Sequence, residues 1–383
     1  MSASGLGDNG LPSALKARLE ELQQANGELV HIAALKEEFL DAINHQLRTP
    51  VTAIVECAEL IRDGALGPIA PQHQPLVQTL VDNAARLSRL VEEALDLSLL
   101  RSGRRQLVRA PADLAALLAR VQASRQGRAG RGCTIRFSCG ALPPVYLDAA
   151  AIEEVMERLL HNALRHAPPA SEILVQATAQ DGWADVSVHD HGVELPPDRL
   201  PRLFEPFSHV QDAQAPGQHG SGLGLAFCRQ VIERHRGTIR VVSDHGRGTT
   251  VTFSIPLATS RFLFEEACTL AREEAGEGGA FGLLLVALDK PRVLGGAPED
   301  IESFLRLRTA RGDRFAWLED QVLAVLAVTD RVGFDTMRAR LTVILREARY
   351  GVRVGGVMYP EDGRMPSELV EAARKRLEPV TAA

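Results

Sequence analysis

Residues 39–54 read FLDAINHQLRTPVTAI and place one histidine, His45, in a helical pattern that Pro50 interrupts little more than one turn later. Heptads counted back from this stretch put Leu19, Asn26, Ala33, Leu40 and Leu47 at one core position, and Leu22, Leu29 and Ile43 at the other, with Lys36 as a break. His45 falls outside both positions, so we expect its imidazole to face water. An exposed imidazole with a pKa near neutrality suits proton or phosphoryl transfer, and the alternative is a solvated surface histidine.

The segment before this stretch predicts a dimer. Asn26 at a core heptad position favours a two-stranded parallel coil at some cost in stability. We therefore expect residues 13–36 to form a coiled-coil lead-in to a homodimer, and residues 1–12, which are rich in Gly and Ser, to be disordered. A single amphipathic helix packed on its own chain is the alternative.

The residues around His45 resemble a known motif. Thr49 lies at i+4 from His45, and Pro50 removes one helical hydrogen bond beside it. The run NHQLRTP at residues 44–50 resembles the H box of sensor histidine kinases, usually S-H-E-L-R-T-P. This resemblance implies His45 as the phosphoacceptor and Thr49 as the residue that orients water in the reverse, phosphatase reaction. Gln46 replaces the family's acid, and its amide can accept a hydrogen bond but is not a base, so we expect slow autophosphorylation.

A helical hairpin is expected to follow. The turn residues Asp63 and Gly64 should end the first helix, and a second helix should run over residues 72–100. The apolar face of this second helix is predicted to consist of Leu76, Leu80, Ala84, Leu87, Val91, Ala94 and Ser98. Two such hairpins can close an antiparallel four-helix bundle across a dimer. Residues 86–103 also resemble the dimerisation and phosphotransfer domain of the same family, which we assign to residues 37–105.

From Pro111 the pattern becomes mixed α and β. Residues 148–167 read as a helix, and alternating residues predict two strands joined at Asp181 and Gly182. Those strands contain Ile173, Val175 and Ala177, then Ala184, Val186 and Val188, and a last hairpin pairs Ile239, Val241 and Ser243 with Val251, Phe253 and Ile255. Helices against one sheet make an α/β sandwich, which we assign to residues 106–258.

Four motifs in this region resemble the ATPase domain that histidine kinases share with GHKL enzymes. The first is LLHNALRH at residues 159–166. Mg²⁺ prefers oxygen ligands, and the resemblance makes the Asn162 amide its protein ligand. Arg165 and His166 follow on the same helix face and can counter phosphate charge. Arg158 stands where the family has an extra asparagine, so it could compete with Mg²⁺ or clamp phosphate directly.

The second motif would bind the adenine base of ATP, and the third would anchor the ATP lid. Asp190 and Gly192 follow an apolar strand, and the resemblance gives Asp190 the exocyclic amine of adenine. Glu194 stands where the family has glycine. Phe204 and Phe207 match the aromatic pair that anchors the ATP lid, which would be residues 208–219.

The fourth motif is a glycine-rich turn before a helix. Backbone N–H groups and the helix N-terminus at such a turn can hold phosphates. The nucleotide-binding residues implied here are Gly220, Gly222, Leu223, Gly224 and Leu225, with Thr249 from the turn at residues 246–250. Arg236 replaces a glycine of the family's H-G-G. The alternative for the whole domain is an ATP-binding fold that has lost turnover and acts only as a scaffold.

The C-terminal third is predicted as another α/β unit, residues 259–383. A helix over residues 260–274 precedes a continuous apolar strand at residues 281–289. With residues 354–363, VGGVMYPEDG, this region resembles a GGDEF, diguanylate cyclase-like domain whose hairpin motif is reduced to RGDRF at residues 311–315.

We expect no cyclase activity from this unit. Ala287 and Arg314 stand at the positions of two metal-binding carboxylates, while Asp289 and Asp313 remain. The family's inhibitory R-x-x-D is replaced at Glu302 and Leu305. The unit is then either a sensory or partner-docking element or a remnant that stabilises the dimer.

Length and composition indicate the number of domains and the cellular compartment. The chain has 383 residues, 45% of them hydrophobic, and a net charge of −6, which predicts two or three domains and argues against nucleic acid as a partner. The N-terminus lacks a signal-peptide pattern and no long uncharged apolar run occurs, so we expect a cytoplasmic protein without a membrane segment. Five cysteines without C-x-x-C spacing predict reduced thiols.

The sequence thus predicts a multidomain α and α/β protein. The expected function is a cytoplasmic, homodimeric histidine kinase that uses ATP and Mg²⁺, phosphorylates His45 and passes the phosphoryl group to a response regulator receiver domain in trans. One alternative is a protein that acts chiefly as a phosphatase on its partner regulator through Thr49. The other is a catalytically impaired ATP-binding scaffold, or pseudokinase, that docks a regulator.

Overall fold

A computed structural model describes residues 50–64, 67, 69–125, 132–192, 195–208, 222–244, 247–289, 301–348 and 350–380. The predictions for the coiled coil lie outside the described residues, as do those for His45, Gln46 and Thr49. The same holds for residues 209–219 of the predicted lid, for Glu194 and for Gly220.

The described chain begins with a helical hairpin. Residues 50–62 form α1, a 3₁₀ turn at Pro71–His73 follows, and α2 spans Gln74–Arg101. The buried side chains between the helices form two clusters, Val51 with Val91 and Leu95, and Ala58 with Val81 and Ala84. Because the later residue of α1 contacts the earlier residues of α2, the helices are antiparallel.

One face of this hairpin stays apolar and exposed. Leu76, Leu80 and Leu87 of α2 are 69%, 45% and 43% exposed, although the sequence pattern assigns them to a packed face. On α1, Ile54 and Leu60 are also exposed. Within one chain, therefore, the predicted apolar stripe is only partly covered.

An α/β sandwich follows the hairpin. Its elements are β1 (Ala110–Ala112), α3 (Leu114–Arg125), β2 (Thr134–Cys139), β3 (Val145–Leu147), α4 (Ala149–His166), β4 (Glu172–Gln180), β5 (Trp183–Asp190), α5 (Gly224–Arg234), β6 (Ile239–Asp244) and β7 (Gly248–Pro256). The main sheet has the order β2-β4-β5-β7-β6, with β2 and β4 parallel and the other pairs antiparallel. Strands β1 and β3 form a separate antiparallel pair. The predicted helix and both hairpins are confirmed.

The sandwich core lies between the sheet and the helices. The Asp148 side chain caps α4 by accepting from the Ala151 N–H at 3.0 Å, and Pro168 follows the end of the helix. The buried residues of α4 recur at helical spacing, so one face packs on the sheet. Leu100, in the last turn of α2, is fully buried in the same core and joins the hairpin to the sandwich.

The C-terminal unit contains a second sheet. Its elements are α6 (Ser260–Ala275), β8 (Phe281–Leu288), α7 (Ile301–Arg306), β9 (Arg314–Glu319), β10 (Val322–Ala327), α8 (Arg331–Glu347), β11 (Val352–Tyr359), α9 (Pro366–Lys375) and β12 (Glu378–Pro379). The sheet order is β12-β11-β8-β10-β9, and every pair is antiparallel. Helices α6 and α9 pack on one face and α7 and α8 on the other, which explains the unbroken apolar run of β8.

The structure corrects one motif assignment in this unit. The β9–β10 hairpin turns at Asp320 and Gln321, whereas residues 311–313 precede β9 and Arg314 and Phe315 are already paired in it. The prediction that RGDRF forms the hairpin is therefore wrong. The polar pair Asp320 and Gln321 breaks the apolar pattern and makes the turn instead.

Two further observations concern the whole described chain. All five cysteines are free thiols. None of the helices within the described residues has the length and apolar content required to cross a bilayer.

Candidate nucleotide-binding site

Asp190 is the last residue of the central strand β5, and it is buried. Its side chain is only 7% exposed, and Oδ1 accepts a hydrogen bond from the Gly192 N–H at 2.8 Å. Burial raises the pKa of Asp190 from 3.8 to about 6, while the Gly192 N–H and the charge of His191 act in the opposite direction. Within the described part of the chain the Asp190 carboxylate accepts this one hydrogen bond, so it retains acceptor capacity for a ligand amine.

Two glycines allow the backbone to close around Asp190. Gly248 at the start of β7 has φ +90°, and a Cβ there would lie 1.9 Å from the carbonyl oxygen of Asp190. A Cβ on Gly192 would lie 2.6 Å from Oδ1 of Asp190 and 2.7 Å from the carbonyl oxygen of His166. The end of α4 therefore meets the loop after β5, and side chains at these two positions would fill the space.

Thr249 lies opposite Asp190 in the β5–β7 ladder and belongs to a small hydroxyl network. Its Oγ1 is 3.0 Å from Oγ of Ser243 on β6, and Ser243 Oγ accepts from the Leu195 N–H at 3.0 Å. Ser243 thus ties Leu195 to the edge strand β6. The sequence placed Ser243 in a strand but did not identify this role, although a hydroxyl residue at the Asp190 end of a strand is a usable signal.

Asn162, Arg165 and His166 occupy the last two turns of α4 and are half-buried. The amide oxygen of Asn162 is the kind of single oxygen donor that suits Mg²⁺ when phosphate oxygens and water complete the coordination. Over the described ranges, no cluster of three or more His, Cys, Asp or Glu residues could hold a metal ion. A Mg²⁺ ion at Asn162 would therefore depend mainly on the nucleotide.

The glycine-rich turn leads directly into α5. Gly222 has φ +70°, and its carbonyl oxygen accepts from the Phe207 N–H at 3.0 Å, which joins the turn to the third motif. Helix α5 begins at Gly224, and none of the described side chains caps it, so its first N–H groups can serve an anion. Phe204 is buried in the sandwich core, whereas Phe207 is 63% exposed.

Leu223 and Leu225 do not face the same surroundings. Leu223 is buried in a cluster with Leu97 of α2 and Ala226, and Leu225 packs partly against the sandwich core. The glycine-rich turn is therefore in contact with the helical hairpin.

Arg158 has partners that the sequence did not predict. Its Nη2 lies 2.7 Å from Oε1 of Glu154 and 3.5 Å from Oδ2 of Asp96 on α2, and the guanidinium lies 3.9 Å from the ring centre of Phe227. Burial, followed by the charge of Glu154, raises the pKa of Asp96. These contacts make Arg158 a link between α4 and α2. The expected phosphate clamp or competition with Mg²⁺ stays a prediction.

The described site residues thus fall into two groups. Asp190, Gly192, Thr249 and the end of α4 meet at one edge of the sheet. Gly222, Leu223 and Gly224 lie at the start of α5, connected to Phe207.

Comparison with known proteins matches this architecture. Residues 147–259 match the family model described as Histidine kinase-, DNA gyrase B-, and HSP90-like ATPase. Residues 35–103, which include His45, match the model described as His Kinase A (phospho-acceptor) domain. The chain therefore contains one region similar to a phosphoacceptor domain and one similar to an ATPase domain.

Similar proteins include a sensor protein and a histidine protein kinase. The alginate biosynthesis sensor protein KinB of Pseudomonas aeruginosa is 34% identical over 226 residues, which are 58% of this chain and 37% of that protein. The histidine protein kinase DivJ of Caulobacter vibrioides is 30% identical over 250 residues, 63% of this chain and 40% of that protein. The chain thus covers 37% and 40% of the length of these two relatives. A solved structure of full-length ShkA in complex with AMPPNP aligns with a TM-score of 0.49 and 27% identity, over 58% of this chain and 46% of that one.

Proposed function

We propose that this protein is an ATP-dependent protein-histidine kinase of the two-component class. The observation that carries the proposal is the joint presence of a phosphoacceptor-domain match that includes His45 and an ATPase-domain match that includes the buried Asp190. A ring nitrogen of His45 would attack the γ-phosphorus of ATP. The new N–P bond would form as the bond from the γ-phosphorus to the β–γ bridging oxygen breaks, and ADP would leave.

The residues of the sandwich supply alignment and charge. Asp190 would accept the exocyclic amine of adenine, and the first N–H groups of α5 would hold phosphate oxygens. Bound Mg²⁺ would neutralise charge on the β- and γ-phosphates, with Asn162 as its protein ligand. In the last turn of α4, Arg165 would add positive charge and His166 a ring N–H donor for phosphate oxygens.

Gln46 sets the expected rate. Its amide oxygen can orient the His45 ring by accepting a hydrogen bond, but it cannot take the proton that the ring loses. Because general-base assistance is worth roughly 10²–10⁴ in rate, we expect slow labelling of His45.

The test is transfer of label from ATP labelled at the γ-phosphate. We expect Gln46→Glu to speed the labelling and His45→Gln to abolish it. His73→Gln is the matched control, because His73 is an exposed histidine in the turn before α2, and it should leave labelling unchanged. No gain with Gln46→Glu would reject the role given to Gln46, and label that survives His45→Gln would reject the phosphoacceptor.

A homodimer through the helical bundle is part of the proposal. It is supported by the exposed apolar side chains of α1 and α2, Ile54, Leu60, Leu76, Leu80 and Leu87, which a second hairpin would cover. Sedimentation should give twice the chain mass, and Leu80→Lys should shift it toward the monomer. The phosphoryl group would pass to a receiver domain in trans. Thr49 would orient water in the phosphatase reaction. The cytoplasmic setting is the one expected from composition.

The second candidate is an ATP-binding scaffold that docks a regulator without turnover. Gln46 favours it, because a site that lacks its base loses rate but not affinity. Nucleotide binding with no transfer to His45, even in Gln46→Glu, would support this scaffold over the kinase.

For the C-terminal unit we propose a cyclase-like fold that acts as a sensory or docking element. Its support is the antiparallel order β12-β11-β8-β10-β9 with helices on both faces. Removal of residues 259–383 should change phosphorylation or partner choice. A change in solubility alone would indicate a stabilising remnant.

A further inference from the structure

Glu266 is a buried carboxylate at the junction between the sandwich and the C-terminal unit. It lies on α6 and is 1% exposed. Its Oε1 lies 3.1 Å from Nη2 of Arg109, and its Oε2 lies 2.7 Å from Nη2 of Arg236. Neither contact is aligned as a hydrogen bond, so the carboxylate is held by the positive charges of the two guanidinium groups.

Both arginines come from the sandwich side of the junction. Arg109 directly precedes β1, and Arg236 follows the end of α5. Arg236 has φ +61°, a left-handed conformation that disfavours residues with a Cβ. Glycine would relieve this backbone cost but would remove the cation that faces Glu266. The ion pair therefore gives a physical reason for arginine at this position.

Aromatic contacts surround the ion pairs. The Arg109 guanidinium lies 5.9 Å from the ring centre of Tyr146, and that ring meets Phe262 of α6 edge to face, with 5.7 Å between centres. Burial, and after it the charge of Glu266, raises the pKa of Tyr146. Arg109 also donates to the carbonyl oxygen of Arg234 at 3.2 Å, so the junction engages the last turn of α5.

The backbone continues the junction. Leu257 forms a bridge with Val145 of β3, and the Ala258 N–H donates to the Pro144 carbonyl oxygen at 2.7 Å. Only one residue separates this pairing from the start of α6 at Ser260. A connection held to the sheet in this way leaves α6 little freedom to leave the sandwich.

We propose that the C-terminal unit is docked on the sandwich as a fixed lobe, with Glu266 as the anchor between Arg109 and Arg236. A carboxylate with almost no exposure depends on its partners, and loss of one partner strands the remaining charge. The surface of the sandwich at Arg109 and Arg236 binds α6, the first helix of the C-terminal unit. This contact stabilises the C-terminal end of α5, the end opposite Gly224.

The test is calorimetry and small-angle scattering of the full chain. We expect the wild-type sandwich and C-terminal unit to unfold in one transition. Glu266→Gln and Arg236→Gln should each split the transition in two and increase the radius of gyration, because docking weakens by roughly 100-fold or more. The double variant should be no worse than Glu266→Gln alone, since that change already removes the contact to Arg236. The matched control is Glu265→Gln, because Glu265 is 45% exposed on the same helix and pairs only with Arg261 among the described residues.

Three results would overturn the proposal. These are two transitions in the wild type, equal behaviour of Glu266→Gln and Glu265→Gln, and simple addition of the two single effects. Should Glu266→Gln fail to fold, Arg236→Lys tests the same pair, because it keeps the charge but loses the planar fork. Partial separation of the transitions supports the anchor, and wild-type behaviour of both Arg236 variants rejects it.

Discussion

Asp190→Asn should stabilise the sandwich while it weakens nucleotide binding. The substitution keeps the shape of the side chain and the oxygen that accepts from the Gly192 N–H, but it removes a negative charge from a site that is 7% exposed. Because burial disfavours the carboxylate, the wild type carries a penalty that the amide avoids.

The pKa of Asp190 gives the size of the effect. Folding raises that pKa from 3.8 to about 6. A raised carboxyl pKa means that the folded state binds the proton more tightly than the unfolded chain, so stability falls as pH rises from about 4 to about 6 and then levels off. Each factor of ten in the ionisation constant corresponds to about 1.4 kcal/mol, so the full penalty above pH 7 is about 3 kcal/mol. At pH 5 the same relation gives about 1.6 kcal/mol.

The assay is denaturant unfolding of wild type and Asp190→Asn at pH 5 and pH 7.5, followed through the transition of the sandwich. The stabilisation of the variant should be larger at pH 7.5, by about 1.4 kcal/mol. Asp185→Asn is the matched control, because Asp185 lies on the same strand, is 39% exposed and pairs with Arg240. Its effect should stay within about 0.5 kcal/mol at both pH values.

A gain for Asp190→Asn that does not grow between pH 5 and pH 7.5 would refute the account of the buried carboxylate. The binding arm is separate. Affinity for ATP should fall about tenfold in the variant, because a neutral acceptor replaces a charged one. Stabilisation together with unchanged affinity would leave the burial argument intact and remove Asp190 from the nucleotide site.

Two further substitutions test the site and its link to α2. Gly248→Ala should destabilise the sandwich by about 3 kcal/mol or more in urea unfolding, because the new Cβ meets backbone 1.9 Å away at φ +90°. Gly182→Ala, at φ +85° with no described atom within 4 Å, should cost about 1 kcal/mol, and equal effects would contradict the steric argument. Arg158→Ala should cost about 1–3 kcal/mol through its carboxylate and ring contacts and leave ATP affinity unchanged, whereas Arg229→Ala, which loses an exposed pair, should cost about 0.5 kcal/mol. A large loss of ATP affinity in Arg158→Ala would restore its expected role at phosphate.

The helices and hairpins of the sandwich could be predicted because their signals are local. The apolar spacing of α4 and the alternation in β4 and β5 both arise from packing on one face, and Asp181 and Gly182 supply the turn. The strands β1 and β3 have three residues each, too few for an alternating pattern. Their pairing depends on the completed fold.

Ion pairs between residues that are far apart in the chain could not be predicted from local sequence patterns. Arg158 and Asp96 are separated by 62 residues, and Glu266 meets Arg236 from a different unit. In both cases the sequence showed an arginine at an unexpected position, and only the fold shows the carboxylate that faces it. Departures from a family motif can therefore reflect contacts outside the site, and they need not indicate impaired chemistry.

The C-terminal unit shows where strand direction overrides motif matching. Strands β8 and β9 both pair antiparallel with β10, so they run in the same direction. Asp289 follows the end of β8, and Asp313 precedes the start of β9, which places the two residues at opposite ends of the sheet. Six residues of strand span about 20 Å, so these two carboxylates cannot share a metal ion.

Asp320 instead lies at the end of β8 that Asp289 follows, where the Leu288 N–H donates to the Gln321 carbonyl oxygen at 2.7 Å. Strand direction thus excludes a shared metal site for Asp289 and Asp313, and restored carboxylates at Ala287 and Arg314 would again lie at opposite ends of the sheet.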